Sequence, residues 1–173
     1  MAAVPAAPAT VVASATPTGD EIVDVAKIWA AATARRDALD VPEPWQHKLP
    51  GIRARLALPH ATLFLAGDTG EPAGFALAAS TDAEAELYYL AVDPGAWGRG
   101  LAAGLLDAVE RWAVERGVTR LTLWVLEDNA RACSTYARAG WVATDERQVA
   151  QPPGRLERRL TRAMPERPSR ARS

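Results

Sequence analysis

Apolar positions recur along this chain with two different periods, which separate predicted helices from predicted strands. The helical period covers 21–39 and 98–116, and the second of these segments ends at Gly117, a residue type common just after a helix. Its apolar face consists of Leu101, Leu105, Val109 and Trp112. Runs rich in β-branched and apolar residues predict strands at 10–15, 61–67, 70–80, 83–92 and 118–126. The three runs between 61 and 92 are separated by turn residues and predict an antiparallel meander.

The remaining segments complete an alternation of helices and strands. Prolines at 42, 44 and 50 argue against a regular helix within 41–51, and a short helix is expected at 52–58. A further helix is predicted at 129–139, followed by strands at 141–149 and 155–160 on either side of a turn at 151–154. This order predicts one α/β domain over 10–162. We expect 1–9 to be a disordered Ala/Pro leader and 163–173 a disordered basic tail.

Composition narrows the range of functions. The 173 residues are 49% hydrophobic with a net charge of −1, which is typical of a globular protein and gives no indication of a nucleic-acid or membrane partner. A single cysteine and two histidines argue against a disulfide framework and predict no metal site. No apolar run approaches the roughly 20 residues that cross a bilayer. We therefore expect a cytoplasmic protein.

Glycines mark the segment with the clearest chemical signal. Gly98 and Gly100 lie between a predicted strand and a predicted helix, where backbone N–H groups and the helix N-terminus favour a phosphate. Arg99 adds a cation, although a tight turn alone would also use these glycines. A dinucleotide pattern, GxGxxA, fits 98–103, with Glu127 or Asp128 as a ribose ligand. The long spacer after the strand and the preceding meander make that interpretation the weaker one.

Two motifs resemble the GNAT family of acyl-CoA-dependent N-acetyltransferases. The family's cofactor signature is Gln or Arg, two residues, Gly, one residue, and Gly or Ala, and 97–102 matches it except that Trp97 stands at the first position. The second motif, an Asn that opens a helix and a later Tyr and Gly-aromatic pair, corresponds to Asn129, Ala132, Tyr136, Gly140 and Trp141. The resemblance covers about 10–160.

The resemblance implies a fold and a co-substrate. The fold is a single domain with a mixed, mostly antiparallel sheet of six to seven strands, splayed between strands 4 and 5, with helices on both faces. Acetyl-CoA would enter at the splay, its pantetheine arm pairing with the backbone of the fourth strand and its pyrophosphate lying on the glycine turn. The implied cofactor-binding residues are Leu90, Ala91, Val92, Trp97, Gly98, Arg99, Gly100, Leu101, Ala102 and Asn129.

The implied catalytic acid is Tyr136, which would protonate the departing thiolate, while Asn129 binds the pantetheine arm. Their seven-residue spacing leaves them roughly 20° apart on one helical face. A thiol with a pKa of about 8.5 leaves as an anion, and a phenol with a pKa of about 10 still carries its proton at pH 7, so these pKa values allow the role. The residues alone equally allow Tyr136 to be a core ring and Asn129 to be only a helix cap.

Glu86 lies where some family members carry a general base, and a glutamate in a surface ion pair is the competing interpretation. Strand alternation predicts that it shares a face with Tyr88, Leu90 and Val92. Trp45 and Tyr88 are candidates for the acceptor pocket. Cys133 lies near Asn129 and Tyr136, but a lone helical cysteine is usually a small buried hydrophobe, so we expect no acyl-cysteine.

The predicted function is direct transfer of an acetyl group from acetyl-CoA to a primary amine of a small molecule. Trp97 motivates an alternative in which the same fold is a non-catalytic CoA-binding regulatory module. The resemblance is also compatible with a homodimer.

Overall fold

The computed structural model describes residues 10–68, 70–151 and 154–166. Within them lie seven strands: β1 (Val11–Ser14), β2 (Thr62–Asp68), β3 (Glu71–Ser80), β4 (Glu84–Val92), β5 (Arg120–Leu126), β6 (Val142–Val149) and β7 (Leu156–Ala163). The α-helices of the same residues are α1 (Gly19–Arg36), α2 (Leu49–Leu56), α3 (Leu101–Glu115) and α4 (Ala130–Arg138). The predicted leader, the end of the predicted tail and the two prolines of the 151–154 turn lie outside the described residues.

All seven strands form one sheet in the order β1-β2-β3-β4-β5-β7-β6. Neighbouring strands are antiparallel except β4 and β5, which are parallel. The predicted meander is confirmed as β2, β3 and β4. The chain crosses from β4 to β5 through α3, as a parallel pair requires.

Two apolar clusters cover the two faces of the sheet. The first lies under α3 and α4, and Phe64 packs edge-on against Trp112 there at 5.9 Å between ring centroids. The second lies under α1 and α2 and includes Val25, Ile52 and Phe75. The predicted stripe of α3 is confirmed, because Leu101, Leu105, Val109 and Trp112 are all buried.

Local sequence explains where the first two helices begin. Thr18 caps α1 with a reciprocal pair of bonds, in which Glu21 N–H donates to Thr18 Oγ1 at 3.2 Å and Thr18 N–H donates to Glu21 Oε2 at 2.7 Å. The expectation of no regular helix within 41–51 is wrong. A 3-10 turn forms at Trp45–Lys48, and α2 starts at Leu49 with Pro50 in its first turn, where a missing N–H costs nothing.

The ordered fold extends past the predicted domain end at 162. Strand β7 ends at Ala163, and Met164 is buried while its N–H donates to Thr119 O at 2.9 Å. These two residues therefore belong to the fold and not to a disordered tail. No helix in the described ranges is long and apolar enough to cross a membrane.

Candidate acyl-transfer site

The sheet opens between its two parallel strands. Strands β4 and β5 pair only at Glu84–Arg120, Ala85–Leu121 and Glu86–Thr122. Beyond Glu86 their described residues form no ladder with each other, whereas β5 continues to pair with β7 along its full length. We call this opening the wedge. The splay predicted between strands 4 and 5 is thus present, and it leaves backbone groups of β4 without a strand partner.

Hydrogen-bond alternation identifies which residues of β4 face the wedge. Asp93 N–H donates to Ala73 O at 2.7 Å, which places Asp93 at a position bonded to β3. Bonded positions alternate along an antiparallel ladder, so Ala91 also bonds to β3. The N–H and C=O groups of Leu90 and Val92 therefore point toward the wedge. Of the three predicted backbone partners for a pantetheine arm, Leu90 and Val92 have the suitable orientation.

A β-bulge interrupts β4 in the middle. Leu77 of β3 pairs with Tyr89, but Ala78 pairs with Leu87, so Tyr88 is an extra residue on β4. A bulge of this kind shifts the alternation of side chains between the two faces of a sheet.

The bulge overturns one expectation about the strand faces. Leu90 and Val92 pack against the cluster beneath α3, whereas Tyr88 packs against the cluster beneath α1. Leu87 belongs to the α3 side, so its neighbour Glu86 faces the α1 side. Glu86 and Tyr88 therefore share a face, as predicted, but Leu90 and Val92 do not lie on it.

The glycine turn follows β4 at the wide end of the wedge. Gly98 and Gly100 have φ values of +81° and +78°, and a Cβ on either would meet no atom within 4 Å. The first backbone bond of α3 runs from Gly104 N–H to Gly100 O at 3.1 Å. The N–H groups of Leu101 and Ala102 consequently have no acceptor within the helix. In the described part of the chain, this turn combines open space with N–H donors that no helix carbonyl accepts, which suits a phosphate group.

Trp97, the residue that departs from the signature, connects the turn to other elements. Its indole N–H donates to Val92 O at 2.9 Å. The guanidinium carbon of Arg131 lies 3.8 Å from the centroid of its ring, and that of Arg35 lies at 5.9 Å. Neither arginine is among the predicted site residues, since periodicity within α1 or α4 does not reveal that either side chain reaches this ring. Arg99 in the turn is exposed.

On the β5 side of the wedge, Asn129 caps α4. Its Oδ1 accepts a hydrogen bond from Ala132 N–H at 3.2 Å, which confirms the interpretation as a helix cap. This bond uses only the amide oxygen, and the side-chain NH₂ group of Asn129 remains available for a ligand.

Tyr136 lies on α4 with its ring buried against Trp141, at 5.8 Å between ring centroids. Burial, with a smaller contribution from Cys133, raises the pKa of the Tyr136 hydroxyl well above its usual value. Burial also raises the pKa of the Cys133 thiol, which lies 3.7 Å from Leu126 O. At neutral pH both groups stay protonated, which suits an acid at Tyr136 and disfavours a nucleophile at Cys133.

Glu86 is half-buried on the α1 side of the sheet. Burial raises the pKa of its carboxyl, and the positive charges of Arg159 and Arg55 oppose this effect. The Arg55 guanidinium lies over the ring of Tyr88, 4.7 Å from its centroid. These two arginines were not among the predicted site residues.

Trp45 borders the same side of the molecule as Tyr88. Both rings are partly buried against the cluster beneath α1, and the Lys27 ammonium lies 5.9 Å from the centroid of the Trp45 ring. The two candidate acceptor residues thus share one side of the sheet with Glu86. Among the described residues, no group of three or more His, Cys, Asp or Glu side chains is placed to hold a metal ion.

Solved structures share this architecture. The ribosomal-protein-S18-alanine N-acetyltransferase from Escherichia coli superposes with a TM-score of 0.72 at 19% identity, covering 95% of this chain and 100% of that one. The PaiA N-acetyltransferase from Thermoplasma acidophilum, solved in complex with coenzyme A, superposes with a TM-score of 0.68 at 14% identity and covers 89% of this chain and 99% of that one. At these identities the likeness establishes the fold.

Sequence comparison establishes the family. A mycothiol acetyltransferase from Beutenbergia cavernae is 37% identical over 119 residues, which are 65% of this chain and 40% of the relative. The chain therefore spans about two fifths of the length of that relative. The model of the acetyltransferase (GNAT) family matches residues 27–141, a range that contains β4, the glycine turn and α4. The chain thus belongs to the GNAT family of acetyltransferases.

Proposed function

We propose that this protein transfers an acetyl group from acetyl-CoA to a primary amine of a small molecule. The observation that carries the proposal is the wedge, which is closed at Glu86–Thr122 and opens onto the glycine turn. An extended thioester arm would add to the free edge of β4, a mode of binding in which backbone hydrogen bonds supply the affinity.

The residues around the wedge fit acetyl-CoA. Leu90 and Val92 direct backbone groups into it, and the open turn at Gly98 and Gly100 offers space and unpaired N–H donors for a pyrophosphate. The side-chain NH₂ of Asn129 lies at the start of α4, on the opposite side of the wedge. The solved complex of the PaiA relative with coenzyme A supports the same choice of co-substrate.

Two side chains would move protons. When bound, acetyl-CoA would supply the acetyl group and a sulfur leaving group. Tyr136 would donate its hydroxyl proton to that sulfur, since burial keeps the phenol protonated. Glu86 would accept the proton of the attacking amine, because an alkyl ammonium with a pKa of about 10.4 is almost fully protonated at neutral pH and cannot attack.

The acceptor would bind on the α1 side of the sheet, beside Glu86, Tyr88 and Trp45. Aromatic rings there offer apolar contact for the body of a small amine. The relative named mycothiol acetyltransferase makes a mycothiol-related compound the first acceptor to test.

The test has two stages. Calorimetry with acetyl-CoA measures binding, and incubation with an amine library then measures free CoA thiol and a mass increase of one acetyl group. We expect binding and turnover with at least one amine. Binding without turnover over a broad library would favour the non-catalytic module that Trp97 suggests, and a failure to bind acetyl-CoA would overturn the proposal.

A further inference from the structure

The contact between Trp97 and Arg131 spans the wide end of the wedge. Trp97 follows β4 and is tied to it by the bond from its indole N–H to Val92 O at 2.9 Å. Arg131 is the second residue of α4, the helix that follows β5. The distance of 3.8 Å from its guanidinium carbon to the ring centroid corresponds to a stacked cation–π pair.

The charge of Arg131 is not neutralised by a neighbouring carboxylate. In the described part of the chain, no Asp or Glu lies within salt-bridge distance of Arg131 or of Arg35, the second arginine near the ring. Asp128, close to Arg131 in sequence, is instead paired with Arg155 at 2.7 Å. Two arginines without a carboxylate partner among the described residues therefore lie near the Trp97 ring, beside the glycine turn.

A guanidinium held in this way suits a phosphate ligand. Its planar donors match phosphate oxygens in pairs, and stacking on a ring restricts its orientation before the ligand arrives. The ring is held in turn by its bond to Val92 O, whose strand borders the wedge. The cation thus lies on the ring of the residue that directly precedes Gly98, where the turn begins.

We propose that Trp97 is a positioning residue that holds the Arg131 guanidinium beside the glycine turn, where Arg131 binds the phosphates of CoA. The side-chain contact that the signature's Gln or Arg would make from the first position would in this chain come from α4, across the wedge. The inference rests on the proposed function, because it presupposes a CoA thioester on the turn.

The central experiment compares Arg131→Gln with Arg138→Gln, an exposed arginine in the last turn of the same helix. We expect Arg131→Gln to weaken acetyl-CoA binding about tenfold or more in calorimetry, as for the loss of a charged hydrogen bond. Arg138→Gln should leave it unchanged. The KM for acetyl-pantetheine, which lacks the pyrophosphate, should be the same in both variants.

A second pair of variants tests the role of the ring. Trp97→Phe keeps a ring for Arg131 to stack on, and Trp97→Leu removes it, so only the latter should weaken binding as much as Arg131→Gln. The double variant Trp97→Leu/Arg131→Gln should bind no more weakly than Arg131→Gln alone, since the ring acts through the arginine. A purely structural role for Trp97 would instead give additive losses.

The outcomes separate this inference from the proposed function. Wild-type protein that binds acetyl-CoA, together with equal affinities for Arg131→Gln and Arg138→Gln, would overturn the inference and leave the proposed function standing. The inference would also be overturned if Arg131→Gln lost as much turnover with acetyl-pantetheine as with acetyl-CoA. The arginine would then act on something other than the phosphates. Wild-type protein that does not bind acetyl-CoA would overturn both.

Discussion

Burial sets the protonation states on which the proposed chemistry depends. The Tyr136 hydroxyl and the Cys133 thiol, one turn apart on α4, both have pKa values raised by burial. A protonated phenol can act as an acid, whereas a protonated thiol is a poor nucleophile. The same physical effect therefore leaves Tyr136 with a proton to donate and leaves Cys133 a poor nucleophile.

Replacing Tyr136 with Phe tests the acid. The variant keeps the ring against Trp141 and removes only the hydroxyl, so the protein should fold and bind acetyl-CoA as before. We expect kcat to fall at least about tenfold, within the usual range for loss of a general acid. Because the raised pKa keeps the wild-type hydroxyl protonated, its kcat should show no fall from loss of this proton below about pH 10.

Steady-state kinetics and calorimetry on the same preparation check this expectation. Cys133→Ala, on the same helix, is the matched control and should keep its turnover. Unchanged kcat in Tyr136→Phe would remove Tyr136 from the acid role, and inactive Cys133→Ala protein that still binds acetyl-CoA would reopen covalent catalysis.

Replacing Glu86 with Gln tests the base. A base must be ionised, and burial raises the pKa of the Glu86 carboxyl, so wild-type kcat/KM should rise with pH through a midpoint above that of an ordinary glutamate. The Gln variant should lose this rise and most of its activity at neutral pH. Glu84→Gln, at an exposed position of the same strand, should retain both.

Glu86→Gln should lower activity but should not lower the stability of the fold at neutral pH. A carboxyl whose pKa is raised by folding favours the fold only in its protonated form, and this contribution is lost as pH rises through the folded pKa. At neutral pH, Glu86→Gln should therefore melt no lower than the wild type in calorimetry. A clearly lowered Tm would indicate that ionised Glu86 stabilises the fold through its arginine neighbours.

At the scale of elements, the hydrophobic periods in the sequence predict the helices and strands, but they do not predict the β-bulge that shapes the site. The stripe of α3 and the meander follow from spacing alone, whereas the bulge at Tyr88 does not, because LYYL is apolar on either register. The bulge is visible only once β3 lies beside β4. It sends Tyr88 and Tyr89 to one side and shifts Leu90 and Val92 away from Glu86.

Pairs that join distant segments are the second feature that the sequence could not supply. Asn129 as a helix cap is predictable from its position before an apolar period, and its role as a cap is confirmed. The contact between the Trp97 ring and the Arg131 guanidinium is not predictable, because it depends on how β5, which leads into α4, is placed relative to β4. The prediction of no regular helix within 41–51 is wrong for a local reason, because proline is permitted in the first turn of a helix.

The ends of α3 provide a matched pair of glycine substitutions. Gly100 and Gly117 have φ values of +78° and +75°, and a Cβ on either meets no atom within 4 Å. Alanine at either position should lower the free energy of unfolding by about 1 kcal/mol, because only backbone strain is added. Only Gly100→Ala should also weaken acetyl-CoA binding, since its methyl group enters the space assigned to the pyrophosphate.

Urea unfolding and calorimetry on the two variants separate strain from ligand contact. Equal losses of stability with a loss of affinity confined to Gly100→Ala would support the placement of the phosphates. Equal acetyl-CoA affinities of Gly100→Ala and Gly117→Ala would contradict the placement of the phosphates at this turn.

At the scale of the whole molecule, an ion pair network joins segments far apart in sequence. Arg155, which precedes β7, contacts Asp37 at the end of α1 and Asp128 before α4, each at 2.7 Å. Asp128 directly precedes Asn129, so the network connects the loop that presents the Asn129 amide to the opposite helical layer. The described fold thus links the α1 side of the sheet to the β5 side of the wedge.

Asp37 makes this network sensitive to acid. Its carboxyl bonds to Arg36 and to Arg155, and against the opposing effect of burial these lower its pKa to about 2. A lowered folded pKa contributes stability above the unfolded pKa, and the contribution fades as pH falls from about 4 to about 2.

Asp37→Asn should therefore lower the free energy of unfolding by about 1 kcal/mol at neutral pH and by nearly nothing at about pH 2. The loss at neutral pH is modest because partly exposed ion pairs are screened by solvent. Urea unfolding followed by tryptophan fluorescence measures both values, with the exposed Asp40→Asn as control. A difference between Asp37→Asn and wild type that stays constant down to pH 2 would mean that the Asp37 charge does not stabilise the fold.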